Sequence, residues 1–354
     1  IVRQEGKIGT LKAGAFAEAR RLLALNPTNP IPKHLEMEAL GRFADCEEMA
    51  HVAREVLARD PKEPNARYRL AVYYRMKGEF DSSYAYGHFD QAPEGLAMFL
   101  TAEKLWLPLS EGRYRDVDRV SREVLGTRPE LRPVPQSLLP SAFPKMRLLI
   151  ARGQGDEALA LARQVGVTLR SIDARGAGYE FYGDLALQVG RPAEAERTMR
   201  ELDGIIRKYP YRENQRRRDF LAGLIALHQG QPAKALPLLE SGQSEGPSST
   251  RESIQDWYCA QALFALKQQD RAMARLEQLV ARAPFWGEPT FCFEAMIQLA
   301  REYESRGRTG EALDLYRRVA YQYRFADSGV RANEEAKAAI ARLERQKAQA
   351  AASR

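Results

Sequence analysis

Little in this chain of 354 residues suits covalent chemistry or a metal. Cysteine occurs only at Cys46, Cys259 and Cys292, an odd number spaced too widely for a disulfide framework or a zinc site. Those three are expected to be small buried hydrophobes. The four histidines, His34, His51, His88 and His228, never fall within a few residues of one another. No HExxH, paired CxxC or GxxxxGK(S/T) is present, so zinc hydrolysis and P-loop nucleotide binding lack their ligands. No run approaches the ~18 apolar residues of a membrane helix. Charge of one sign is also scarce: 54 basic residues face 47 acidic ones, and a net +7 permits an anionic partner without demanding one. The chain opens on Ile1 with neither methionine nor an apolar leader. A targeting segment can precede it, and the cytoplasm is the expected compartment.

Hydrophobic residues make up 44 %, ample for a core, and glycine and proline are spread along the chain rather than gathered in a linker. The stretch "SRGRTGEALDLYRRV" (305–319) shows what organises them. A glycine ends one helix, and a small residue five positions later begins the buried face of the next. The pattern recurs in "MKGEFDSSYAYG", "SEGRYRDVDRVSREVLGTRP", "ARGQGDEALALARQV", "QVGRPAEAERTMREL" and "HQGQPAKALPLLE". A looser copy lies in "KAGAFAEARRLL", and degenerate ones surround Ala44 and Lys267. The anchors, at 14, 44, 78, 112, 153, 190, 230, 267 and 307, stand 30 to 41 residues apart. A fixed local pattern at that period predicts a helical solenoid. Pro192 and Pro232, two past their glycines, suit the first turn of a helix. Upstream, Ala71, Gly183, Gly223 and Ala300 put a small residue seven before the turn.

These units resemble the tetratricopeptide repeat, whose small–small–Pro signature is followed at Gly78 and Gly112, and at Gly307 without the closing proline. The resemblance runs to about residue 325 and has a bacterial cast, because the last unit is similar to terminal repeats of bacterial regulatory proteins. It implies an all-α, right-handed superhelical solenoid of about nine helix pairs. The expected organisation is N-terminal units over 1–130, a proline-rich break at 131–145, further units over 146–330, and a capping helix and tail over 331–354. In that cap Ala336, Ala339, Ile340 and Leu343 should face the last unit. The polar stretch 241–253 is expected to be a loop, and its "GQSEG" (242–246) matches G-x-S-x-G only by coincidence. A nucleophile elbow needs a strand before the serine, whereas Ser244 follows an amphipathic helix.

The family resemblance further implies that the first helix of each pair lines the concave face, with inward positions ten and six residues before the anchor. Counting back gives Tyr68, Ala102, Phe143, Glu180, Phe220, Trp257 and Ile297 at the first position, and Val72, Trp106, Arg147, Asp184, Leu224, Gln261 and Arg301 at the second. Aromatic side chains along a groove are strong peptide anchors. The expected function is therefore a protein-interaction scaffold, not an enzyme, with no cofactor and no membrane insertion. It would bind a peptide or partner domain through Tyr68, Trp106, Phe143, Phe220 and Trp257, with Arg147, Arg217 and Arg301 setting selectivity. The set lacks the Lys/Asn clamp with which some family members hold a terminal carboxylate pair.

A second reading comes from "IIRKYPYRENQRRRDF" (205–220), where Arg207, Lys208, Arg212 and Arg216 to Arg218 are interleaved with Tyr209 and Tyr211. Such a surface suits nucleic acid or another polyanion, although Glu213 and Asp219 offset part of its charge. The modest total charge makes nucleic acid the weaker expectation. A subunit of an obligate complex is a third possibility, and would expose apolar surface when alone.

Overall fold

A left-handed residue ends the first helix of every described pair. In the computed structural model, φ lies between 60° and 73° at Gly78, Gly112, Gly153, Gly190, Gly230, Lys267 and Gly307, all of them anchors read from the sequence. The structure describes residues 46–87, 94–127, 129–131, 133–172, 177–241, 250–282 and 289–352, with a few isolated positions before residue 46. The two looser N-terminal units lie mostly outside that set.

Sixteen α-helices, two short 3-10 turns and no strand make up the described residues. The first is α1 (Cys46–Arg59). Pairs follow: α2 (Pro64–Lys77) with α3 (Phe80–Gly87), α4 (Glu94–Ser110) with α5 (Tyr114–Leu125), and α6 (Leu139–Ala151) with α7 (Gly155–Ile172). Next come α8 (Ala177–Gln188) with α9 (Pro192–Lys208), and α10 (Arg212–His228) with α11 (Pro232–Ser241). The last pairs are α12 (Thr250–Ala265) with α13 (Gln269–Arg282), and α14 (Pro289–Ser305) with α15 (Thr309–Gln322), capped by α16 (Arg331–Ala352). Each helix packs on its successor, so the chain is a superhelical solenoid.

Chemistry at the turn explains why the anchor repeats. Gly190 N donates to Leu187 O at 3.0 Å and Arg191 N to Ala186 O at 2.7 Å, which satisfies two carbonyls that the end of α8 would leave without partners. The same pair of bonds closes the other six ends. Lys267 makes it without glycine's freedom, donating to Phe264 O at 2.9 Å. An L-residue held there is strained by about 1–2 kcal/mol. Lys267→Gly should therefore stabilise the protein by roughly 0.5–1 kcal/mol, part of the relief being offset by the freer unfolded chain. A urea midpoint that stays put or falls would contradict this.

Packing follows the same register. The residues five past each anchor, Ser83, Val117, Ala158, Ala195, Ala235, Ala272 and Ala312, are at most 2 % exposed. Small residues seven before the anchor let the helices close up. A Cβ on Gly223 would stand 3.0 Å from the backbone N of Leu239. Cys259 and Cys292 are buried as small hydrophobes, and burial pushes their thiols up to about 12 and about 11. The Cys46 side chain lies outside the described residues.

Helix begins earlier in the proline-rich stretch than its composition suggests. α6 starts at Leu139, with Pro140 in its first turn, where a missing N–H costs nothing, and it accommodates Pro144 within. Leu148 of α6 then packs with Leu105, Leu109 and Val117 of the preceding pair. The expected loop at 241–253 also shortens, because α12 starts at Thr250; "GQSEG" lies outside the described residues. In α16, Ala336, Ala339 and Leu343 are buried and Ile340 is half-buried against the last pair, as its pattern predicts.

One feature has no sequence signal: the solenoid closes on itself. Asp327 N donates to Gly112 O at 3.0 Å, and the Asp327 carboxylate accepts from Arg115 N at 2.9 Å. A side chain 212 residues away thus caps α5, whose own N-cap residue, Arg113, supplies no side-chain bond. Gln322 Nε2 likewise donates to Met76 O at 3.1 Å, near the end of α2. The Arg324 guanidinium lies 4.8 Å from the Phe80 ring centroid, and Tyr114 packs into the C-terminal core.

Candidate partner-binding hollow

First helices of non-adjacent pairs meet inside the superhelical turn. The Arg147 guanidinium of α6 sits 5.1 Å from the centroid of Phe291 on α14. Tyr258 of α12 donates to Asp184 Oδ1 of α8 at 2.9 Å. Gln188 ties these together, donating to the same Oδ1 at 3.0 Å while its own oxygen accepts from Arg147. Around them the rings of Trp257 and Phe291 stand 6.2 Å apart, those of Tyr258 and Phe291 6.0 Å, and those of Phe143 and Phe181 4.8 Å.

Two carboxylates enter this hollow. Asp184 is buried, and desolvation raises its pKa although Arg147 and the bonds from Gln188 and Tyr258 pull the other way. Glu294 is open to solvent, yet the crowding around it also raises its pKa, against the pull of Arg147 and of Arg331 on α16. Glu294 makes no hydrogen bond or ion pair among the described residues. It lies thirteen residues before Gly307, one helical turn beyond the two inward positions counted from the sequence.

The expected anchors divide by burial. Tyr68 and Phe220 are only 6 % and 2 % exposed, packed on Phe99 and Tyr258 respectively. Trp106, Phe143 and Trp257 are half-buried. Trp106 lies against Leu105, Leu109, Val117 and Leu148. The expected arginines are engaged inside the chain: Arg147 as above, Arg217 with Glu180 at 3.0 Å and Glu213 at 3.4 Å, and Arg301 through two bonds to Glu335.

The basic stretch is similarly occupied. Arg216 reaches Glu213 at 3.9 Å, and Arg218 pairs with Asp203 at 3.2 Å and Asp219 at 3.5 Å. The run of three arginines is thus neutralised by carboxylates, two of which, Glu180 and Asp203, lie on neighbouring helices. Arg207, Lys208 and Tyr211 stay exposed, with Lys208 5.4 Å from the Tyr209 ring and Tyr209 stacked on Tyr211. Among the described residues no group of three His, Cys, Asp or Glu side chains could hold a metal ion, and no helix is long and apolar enough to cross a membrane.

The family model for the tetratricopeptide repeat matches residues 144–164 and 177–201, which run from α6 into α7 and from α8 into α9. Those two stretches are similar to tetratricopeptide repeats. The other described pairs share their turn geometry and buried register. Similar solved structures include a chain of the APC/C hetero-tetramer Cut9–Hcn1, at 13 % identity and a TM-score of 0.37, over 93 % of this chain and 52 % of that one. This chain therefore spans about half of the chain it matches there. A Rap protein complexed with competence and sporulation factor matches at 11 % identity and a TM-score of 0.42, over 91 % of this chain and 98 % of that one. The TPR domain of P58(IPK) matches at 11 % identity and a TM-score of 0.31, over 96 % and 94 %. No curated protein matches the sequence. First helices of the pairs supply the side chains that meet between α6, α8, α12 and α14.

Proposed function

We propose that this chain is a protein-interaction scaffold that captures a peptide segment along the inner face of its solenoid. The observation that carries the reading is the clustering of half-buried aromatic side chains on the first helices, Phe143 and Trp257 among them, beside the Glu294 carboxylate, which makes no hydrogen bond or ion pair among the described residues. Aromatic rings with one face packed and the rest accessible act as rigid anchors, because little conformational entropy is lost when they are covered. The test is selection of binding peptides from a random display library on the folded protein, followed by titration of a selected peptide. Trp257→Ala is expected to weaken that peptide roughly thirtyfold, the effect of losing an anchor worth about 2 kcal/mol. Far-UV circular dichroism would confirm that the variant folds. An unchanged affinity would place binding elsewhere on the surface.

A further inference from the structure

We propose that the hollow takes the cationic end of a lysine or arginine side chain of the bound peptide over Phe291, with Glu294 as its counter-charge, and that Arg147 occupies that place in the unbound chain. The inference rests on the hollow being the peptide site and names the chemistry it selects.

Three observations lead to it. The Phe291 ring is itself buried, 5 % exposed, and already carries a cation. Arg147 stands 5.1 Å from its centroid, within the ~6 Å over which the negative face of a ring attracts a guanidinium. Trp257 and Tyr258 approach Phe291 at interplanar angles of 52° and 61°, so neither lies flat on it. Glu294 shares the helix and, three residues on, the same face. Exposed and without a hydrogen bond or ion pair among the described residues, it is a counter-ion whose cation is not supplied by direct contact within the described chain.

The charges around the site fit an incoming cation. Asp184 and Glu294 both feel Arg147, which serves two carboxylates at once, and Arg331 reaches Glu294 from α16 without forming an ion pair. Burial raises both carboxyl pKa values, so folding disfavours the charge that each carries at neutral pH. A ligand cation would relieve that cost. Gln188 grips the Arg147 guanidinium and is itself fixed by Asp184. A cationic side chain entering from a peptide can take the ring face and pair with Glu294, leaving Arg147 on Gln188.

The experiment uses the same random peptide library and measures the selected peptides by fluorescence polarisation. Lysine or arginine should be enriched at one position of the wild-type set. Changing that residue to Met should cost roughly tenfold or more, the scale of one charge-assisted contact. Glu294→Gln should cost about the same and add little to the Met change, since both remove one interaction. Arg147→Gln should tighten binding by vacating Phe291, an effect that a purely structural arginine would not produce. Because Glu294 is exposed, its Gln variant tests the site even if Arg147→Gln fails to fold. Peptides with no basic requirement, or equal binding by Glu294→Gln, would overturn the cation site while leaving a Trp257-dependent groove standing. Weakened binding by a folded Arg147→Gln would overturn self-occupancy. If the wild type selects no peptide, the groove and the cation site fall together.

Discussion

Glu103→Ala is expected to destabilise the protein by about 3–5 kcal/mol. Arg75 of α2 is buried, its side chain 3 % exposed, and its Nε donates to Glu103 of α4 at 2.9 Å. A second bond from Nη2 at 3.4 Å, one from Nη1 to Ser110 Oγ at 3.2 Å and a longer one from Nη1 to Met76 Sδ at 3.7 Å accompany it. Removing the carboxylate strands a guanidinium inside the contact between two successive pairs, where water cannot replace what is lost. The attraction itself contributes less than that figure, because taking both charges out of water costs nearly as much as their pairing returns. Arg75→Leu combined with Glu103→Leu should therefore recover most of the loss. The measurement is the midpoint of guanidinium unfolding followed by circular dichroism. A solenoid can unfold in stages, so the first transition is the one to compare. A double variant as unstable as Glu103→Ala would show that shape rather than charge is what fails.

Local pattern made the architecture legible. An anchor followed five residues later by a buried small side chain is a short-range signal, and it located all seven described turns, including Lys267, where no glycine stands. The inward face could be counted from those turns, which brought Phe143, Arg147, Asp184 and Trp257 into view. Counting one turn further back from Gly307 would have found Glu294. Burial at those positions could not be counted, because it depends on what the opposite pair presents. Tyr68 and Phe220 occupy the same register position as Trp257, yet Phe99 and Tyr258 pack over them. Charge was obscure for the same reason. Glu213 and Asp219 are visible beside Arg216 to Arg218, but Glu180 and Asp203 approach from other helices.

The closure between the two ends was the least legible feature, and Gly112 is where it can be tested. Gly112→Ala is expected to cost about 2–5 kcal/mol, the sum of two effects. At φ +72° any Cβ is strained, by about 1–2 kcal/mol. The new methyl would also stand 2.8 Å from the Ala326 Cβ and 3.0 Å from a Tyr323 ring carbon, and forcing it in costs about 1–3 kcal/mol more. Gly190→Ala is the control. Its φ is +73°, nothing lies within 4 Å of its Cβ, and it should lose the first amount alone. Only the closure separates the two variants, so the difference in unfolding midpoint measures it. Solution scattering supplies the second readout. Pushing Ala326 away pulls Asp327 off the Gly112 carbonyl and uncaps α5, so the radius of gyration should rise for Gly112→Ala and hold for Gly190→Ala. Equal losses with unchanged scattering would mean that the ends do not hold each other in solution. A larger loss with expansion would show that two residues 212 apart, Arg115 and Asp327, keep the solenoid closed and bring Glu294 of α14 to the Arg147 of α6.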